Sequence, residues 1–372
     1  MRSDDTAFEE TGGTRDYTRA AQRGAATVTM ERQIPTRMKI HDTGLFALVV
    51  PTFEGTPYLQ RMLDYFRHVA FEGRIVLADN SSGEHREFID RCAGAYPELE
   101  LEVHSFPHDI RFLDKMVATL EKLDARFVML HAHDDFMVPD AVERCVAFLA
   151  DNPTYGVVRG RVAMIALSRG TGAHATEVGV HLVPHPMRAY EQDDPVERVL
   201  NHVERYASTF YSVHRREHLV ESFRLTEEAT NNVIFFQYLS SCISVFKGKV
   251  SCSDELFYVR QGHEDSWSGS LKKGDYEHWP MLITSANFSD YYQEFRDALC
   301  RVIGKASATD MPELGARIDR AALGLFQRSF CGKEVDNPAE TRFLQRLNDQ
   351  ASEENRHLTA VVQFAASYQN TF

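Results

Sequence analysis

Apolar residues in the first half of the chain fall in short runs separated by longer amphipathic stretches. Phe46-Ala-Leu-Val-Val50 is an unbroken apolar run, the pattern of a strand buried on both faces. The turn Pro51-Thr-Phe-Glu-Gly55 follows. Thr56 and Pro57 then supply an N-cap and a first-turn proline for a helix whose inward stripe is Leu59, Met62, Leu63 and Phe66. The alternation repeats with a strand Arg74–Ala78 behind Gly73, a helix through Phe88, Ile89 and Cys92, and a strand around Leu99–Val103. A helix over about Arg111–Leu123 buries Phe112, Met116, Leu120 and Leu123. The run Phe127–Leu130 is the next strand, and Pro139 opens a helix with Val142, Cys145, Val146 and Leu149 inward. Strands alternating with helices in this way predict an α/β fold with a parallel, nucleotide-binding type of sheet.

Tyr155 to Leu167 predicts one more strand, after which the alternation weakens. Residues 168–195 read as a loop rich in Gly, His and Pro, followed by helices over about 195–206, 215–223 and 228–247 and a strand Glu255–Arg260. The pattern from about 280 to 372 is mostly helical. Residues 1–43 are polar without a sustained period and read as a flexible arm. The expected division is therefore 1–43, 44–167, 168–280 and 281–372.

Composition narrows the function classes. With 372 residues, 43% hydrophobic and 26% charged, the chain has the makeup of a globular protein with a sizeable core. Its net charge of −13 argues against a nucleic-acid partner, although a locally positive site for an anionic small molecule is compatible with it. No apolar run is long enough to be a transmembrane segment, and no signal-peptide core precedes the first strand. The six cysteines are scattered without a CxxC pair and read as buried free thiols in a reducing cytoplasm.

Polar clusters stand at three strand ends: Pro51-Thr52-Phe53-Glu54, Asp79-Asn80-Ser81-Ser82 and His131-Ala-His133-Asp134-Asp135. Parallel strands bring all three to the edge where open α/β sheets bind ligands. Two adjacent carboxylates there repel one another and lose hydration, and a divalent cation is the simplest compensation.

These segments resemble the GT-A glycosyltransferases of the family 2 type. Leu48-Val-Val-Pro-Thr-Phe53 is similar to their opening strand and turn. Val76-Leu-Ala-Asp-Asn-Ser-Ser82 is similar to the second strand with its nucleotide-contacting Asp, and His133-Asp-Asp135 occupies the place of the DxD metal motif. Asp114-Lys115, His133–Pro139 and Val259-Arg-Gln-Gly-His263 narrow the resemblance to a bacterial family 2-like subgroup, over about residues 44–270. The sequence departs from the pattern at His133, which replaces the first Asp of the motif.

The resemblance implies a GT-A (Rossmann-like), mostly parallel sheet flanked by helices, with residues 44–167 as the nucleotide-sugar half, 168–280 as the acceptor half and a helical C-terminal extension. It implies a metal-dependent, inverting transfer from a nucleotide-sugar donor, a UDP-sugar by frequency in the family, to a glycan or lipid-linked acceptor. Pro51, Thr52, Phe53, Glu54, Asp79, Ser81, Lys115, His133, Asp134 and Arg260 would bind the donor. Asp135 and His263 would hold Mn2+ or Mg2+, oxygen ligands suiting both ions and an imidazole partner tilting towards Mn2+. The general base would be Glu227 or Glu228, with Asp254 and Glu255, then Glu264 and Asp265, behind them. The setting implied is bacterial surface-glycan assembly, in the cytoplasm or peripheral to the inner face of the membrane.

Two other functions fit the same pattern: a sugar nucleotidyltransferase and a non-catalytic GT-A-like scaffold. The first expects a basic residue straight after strand one, whereas the first here is Arg61; the second takes its support from His133. Trp267 reads as a sugar platform or a loop anchor, and His181, Pro184, His185 and Pro186 as a mobile loop near the acceptor. The apolar tail residues Leu323, Leu325, Phe326 and Phe330 suggest a homo-oligomer face.

Overall fold

Strand β1 (Phe46–Thr52) is paired on both sides by parallel neighbours, β2 (Arg74–Asp79) and β4 (Phe127–Leu130), with β3 (Leu101–Ser105) parallel outside β2. Its side chains alternate between two cores. Phe46, Leu48 and Val50 enter one with α1 (Thr56–His68), α2 (Gly83–Ala95) and α4 (Pro139–Asp151). Ala47 and Val49 enter the other with α3 (Phe112–Lys122). The unbroken apolar run therefore reflects helices on both faces, each fully buried large side chain contributing roughly 1.5–3 kcal/mol.

The computed structural model describes residues 44–167, 178–179, 187–230, 233–262, 288–307, 310–331 and 338–368. The arm read over 1–43 lies outside them. So do His181, Pro184, His185, Pro186, His263, Glu264, Asp265 and Trp267.

Beyond β4 come β5 (Phe136–Met137), β6 (Tyr155–Leu167), β7 (Val178–Gly179), α5 (Pro195–Glu204), β8 (Val213–Arg215), α6 (Arg216–Glu227), α7 (Val233–Lys247) and β9 (Lys249–Gly262). The described strands form one sheet of order β3-β2-β1-β4-β8-β6-β9-β5, with β7 on β6. Strand β8 is antiparallel to both β4 and β6, and β9 is parallel to β6. Strands β1, β2, β3, β4, β6 and β9 therefore all point the same way. The parallel pairings carry the long registers, so the fold is the expected α/β sheet, mostly parallel and flanked by helices.

Several element ends differ from expectation. Thr56 is the first helical residue, not the cap. The N-cap is Gly55, and the Thr56 hydroxyl pairs with His85 Nδ1 at 2.7 Å. Pro139 does open α4 as a first-turn proline. The helix expected over 215–223 runs on to Glu227, and the next begins at Val233. Strand β9 starts at Lys249, six residues before the predicted strand, because its first half is polar and broken in register by bulges against β6.

The helical C-terminal region does not form one body. Helices α8 (Phe288–Ser307) and α9 (Met311–Cys331) pack with α5 and α7. Helices α10 (Pro338–Asn348) and α11 (Glu353–Ser367) return to the core of α1 and α4 through Phe343, Leu347, Leu358, Val361 and Ala365. Of the residues read as an oligomer face, Leu325 and Phe326 pack within the chain, Phe326 against Phe288 and Tyr292. Leu323 is exposed, and the Phe330 side chain lies outside the described set. No described helix is long and apolar enough to cross a membrane.

Candidate active site at the carboxyl edge of the sheet

The register pairs Thr52 with Asp79 at the ends of β1 and β2. The Asp79 side chain is fully buried and its Oδ1 accepts from Thr52 Oγ1 (2.8 Å), Ser81 Oγ (2.7 Å) and the Ser81 amide (3.2 Å). Asp79 is thus an Asx-turn residue that also cross-braces two strand ends. Its Oδ2 is buried without a hydrogen-bond partner and lies 3.6 Å from Arg86 Nη1, an ion-pair separation. The Ser81 hydroxyl also accepts from the Glu54 amide at 3.0 Å, fixing Glu54 in a left-handed turn conformation (φ 45°).

Lys115 enters beneath this turn from the first turns of α3. Its Nζ donates to the Thr52 carbonyl (3.0 Å) and Asn80 Oδ1 (2.6 Å). Burial lowers its pKa to about 8, against the opposing pull of Asp79. Lys115 is therefore anchored to the strand ends and does not reach outward. Phe53, which follows Thr52, is 50% exposed and lies 5.2 Å from the His108 ring. A small pocket beside it, with room for about one water, is lined by residues including Phe53, Thr56, Ser81, His85 and His133.

The loop after β4 forms the second corner. His131 belongs to the core rather than the site, packed edge-on against Phe66 and Tyr258, and burial lowers its pKa to about 3. His133 turns towards α1, where a Cβ on Gly55 would come within 2.3 Å of its Nε2. It therefore faces the pocket. Asp135 is buried; its Oδ1 accepts from the Gln261 amide at 2.8 Å and its Oδ2 lies 3.8 Å from Arg260 Nε. Burial first, and the Asp134 charge second, push its pKa up to about 7, while Arg260 and hydrogen bonds from Gln261 and Tyr258 oppose the rise. Arg260 in turn lies 5.9 Å over the Tyr211 ring, which stacks on Tyr258.

This donor set fits a hard divalent ion only in part. Among the described residues no three His, Cys, Asp or Glu side chains converge as a ligand cage. One or two carboxylates suffice where phosphate oxygens and water complete the shell, as Mg2+ and Mn2+ sites on nucleotides do. The costly buried charge of Asp135 beside Asp134 is the feature such an ion would relieve.

The candidate bases separate. Glu227 ends α6 and Glu228 caps it, so neither begins a helix. Glu227 Oε1 accepts from Arg111 Nη2 at 3.0 Å, and a hydrogen bond with Asp114 raises its pKa, placing it at the amino end of α3. Glu228 is exposed. Asp254 and Glu255 lie lower on β9, about 20 Å before Arg260 at strand spacing. They are tied to Arg161 and Arg144 in ion pairs.

Sequence reasoning passed over Gly55, His85, Arg61, Tyr211, Tyr258 and Gln261. The signal for Arg61 was a charge beside an apolar stripe, in step with Tyr58 and Tyr65 along one helix face.

No protein-family profile matches the chain, and no curated protein does either. Among solved structures it is similar to S. aureus TarS 1–349 in complex with UDP-GlcNAc, at TM-score 0.48 and 16% identity over 77% of this chain and 73% of that one. The UDP complex of the same protein gives 0.47 and 16% over 77% and 72%. Mannosyltransferase PcManGT from Pyrobaculum calidifontis, in complex with GDP-Man and Mn2+, gives 0.39 and 13% over 88% and 87%.

Proposed function

We propose that the chain is a GT-A, family 2-type, metal-dependent inverting glycosyltransferase that moves a sugar from a nucleoside-diphosphate donor, a UDP-sugar first, to a hydroxyl acceptor in surface-glycan assembly. The observation that carries the reading is Asp135. It is a buried carboxylate beside a second one, on the same sheet edge as the buried Asp79 at the end of β2. In this reading the exposed Phe53 ring stacks the base and Asp79 Oδ2 accepts a base or ribose donor. Ser81, Thr52, Pro51 and Glu54 shape the turn that receives the nucleoside. Lys115 holds that turn from below, and His133 closes the pocket against Gly55.

Asp135, with Asp134, would hold Mn2+ or Mg2+, which supplies positive charge to a leaving diphosphate when bound. Arg260 adds a fixed cation at the same corner, where negative charge develops as the glycosidic bond breaks. Glu227 is our candidate for the base that takes the acceptor proton, its pKa lifted towards the working range by Asp114. His263, outside the described residues, stays in this proposal as a further metal ligand on sequence grounds. The nucleotidyltransferase alternative is disfavoured because Arg61, the first basic residue after β1, is buried with both Nη atoms engaged within the protein.

Calorimetric titration of UDP with and without Mn2+, followed by hydrolysis assays on a panel of nucleotide sugars, tests the proposal. Metal-dependent UDP binding and an active donor are expected, with turnover lost in Asp135→Ala. Absence of metal-dependent nucleotide binding in the native protein would return the scaffold reading to first place.

A further inference from the structure

Arg61 is only 1% exposed, although it carries a full charge on the first helix. Burying a guanidinium costs several kcal/mol unless its hydrogen bonds are made inside. Here Nη1 donates to Gln261 Oε1 at 2.5 Å and Nη2 to the Asp134 carbonyl at 2.7 Å. The guanidinium also lies over the rings of Phe136 (4.8 Å) and Tyr58 (5.3 Å). Burial lowers its pKa to about 10, with Asp134 foremost among the groups that oppose the fall, so it stays charged at neutral pH.

The partners of this fork are informative. Asp134 belongs to the loop after β4, and Gln261 to the end of β9, 127 residues later in the chain. The Gln261 amide is the donor to Asp135 Oδ1. The neighbouring residues of α1 follow the same loop in step: Tyr58 stands beside the His133 ring (6.3 Å), and the Tyr65 hydroxyl donates to the Met137 carbonyl at 2.7 Å. One face of α1 thus runs along His133 to Met137 as a splint, and Arg61 is its only charged contact among these three.

We infer that Arg61 is a positioning residue of the site: its two hydrogen bonds lock the loop after β4 to the end of β9, so that Asp135 and Arg260 face one another at a fixed separation. The inference rests on the reading of Asp135 and Arg260 as the diphosphate corner. Arg61 touches no substrate itself. A lysine cannot replace it, because a single ammonium on a flexible stem does not span two acceptors as a planar fork does.

The test compares full-length native protein with Arg61→Lys and Arg61→Met, using hydrogen exchange by mass spectrometry, calorimetric UDP binding with Mn2+, and donor turnover. Arg61→Lys, which keeps the charge, is expected to exchange roughly tenfold faster in segments 131–138 and 257–262, with β1 unchanged. Its kcat should fall at least tenfold, with donor KM within about threefold of native. Native exchange in both segments, or equal acceleration in β1, would overturn the inference, the latter marking Arg61 as a general stabiliser. Should Arg61→Met fail to fold, the lysine variant carries the comparison. If native protein binds no UDP with Mn2+, the glycosyltransferase reading falls, while the exchange result still decides whether Arg61 fixes the loop.

Discussion

The Gln261 amide donates a 2.8 Å hydrogen bond to Asp135 Oδ1, joining the end of β9 to the loop that follows β4. That bond holds a carboxylate in a position where water cannot solvate it and a second carboxylate stands next in sequence. The Gln261 amide, the Tyr258 hydroxyl and a guanidinium 3.8 Å away do not fully offset this cost, which is why the Asp135 pKa remains near 7.

The first prediction follows from the sign of that shift. An acid whose pKa is raised on folding adds stability where it is protonated, and that stability is lost as pH rises through the folded value. The metal-free protein should therefore lose on the order of 2–4 kcal/mol from this group between pH 4 and pH 7, at about 1.4 kcal/mol per pKa unit. Asp135→Asn keeps the Oδ1 acceptor and removes the charge. In the presence of EDTA it should melt higher than native protein at pH 8, the gap narrowing as pH falls towards 4. Calorimetry across that range checks it, and parallel curves would remove Asp135 as a strained buried carboxylate.

A second prediction concerns Gly55. A Cβ there would sit 2.3 Å from His133 Nε2, a separation real side chains do not reach. Gly55→Ala should cost about 1–3 kcal/mol by overpacking and displace His133 from the pocket. Adding His133→Ala removes the clash, so the double variant should recover most of the lost stability but not native UDP affinity. Denaturant melts and nucleotide titration of the three variants measure the coupling; additive losses would contradict the contact.

Phe53 permits a cleaner separation of binding from folding. Its ring is half exposed and packs chiefly on His108, so Phe53→Ala should change stability by less than about 0.5 kcal/mol. If the ring stacks a base, UDP affinity should fall roughly five- to thirtyfold, within the range of base–aromatic stacking, and Phe53→Trp should restore it. Unchanged UDP affinity in Phe53→Ala would show that the base lies elsewhere.

These predictions draw on features that were unequally legible in the sequence. The strands β1, β2, β4 and β6 were visible because burial on both faces demands unbroken or nearly unbroken apolar runs. The convergence of Thr52, Asp79 and Asp135 on one edge followed from parallel order alone. The first half of β9 was hidden because Lys249-Val-Ser-Cys-Ser-Asp-Glu255 alternates polar residues and bulges against β6. Arg61 was read by its charge, which marks surface in most contexts; its burial depends on acceptors distant in sequence, the Asp134 carbonyl and Gln261 on β9. The run of α6 to Glu227 was missed although Leu225 and Thr226 give no stop signal, because the Arg111 contact that holds Glu227 is long-range. The packing of the tail was likewise invisible, since an apolar helix face does not name the surface that covers it.

The last prediction concerns that tail. Helices α10 and α11 contribute Phe343, Leu347, Leu358, Val361 and Ala365 to the core shared with α1 and α4. Phe364 reaches the Tyr65 ring (5.4 Å) and the Phe136 ring (6.4 Å), and the Tyr368 hydroxyl donates to Asp64 on α1. Tyr65 is one of the splint residues and Phe136 lies beneath the Arg61 guanidinium, so these helices back the splint from behind. At about 1.5–3 kcal/mol for each large side chain, removing them costs on the order of 5–10 kcal/mol, comparable to the whole stability of a domain. A chain ending at residue 337 should therefore lose cooperative unfolding and UDP binding together, as read by circular dichroism and calorimetry. Phe364→Ala alone should lower stability by about 2 kcal/mol and speed exchange in segment 131–138 more than in β1. A truncated chain that melts as native protein does would mean that the tail is an appendage and that α1 holds the site unaided.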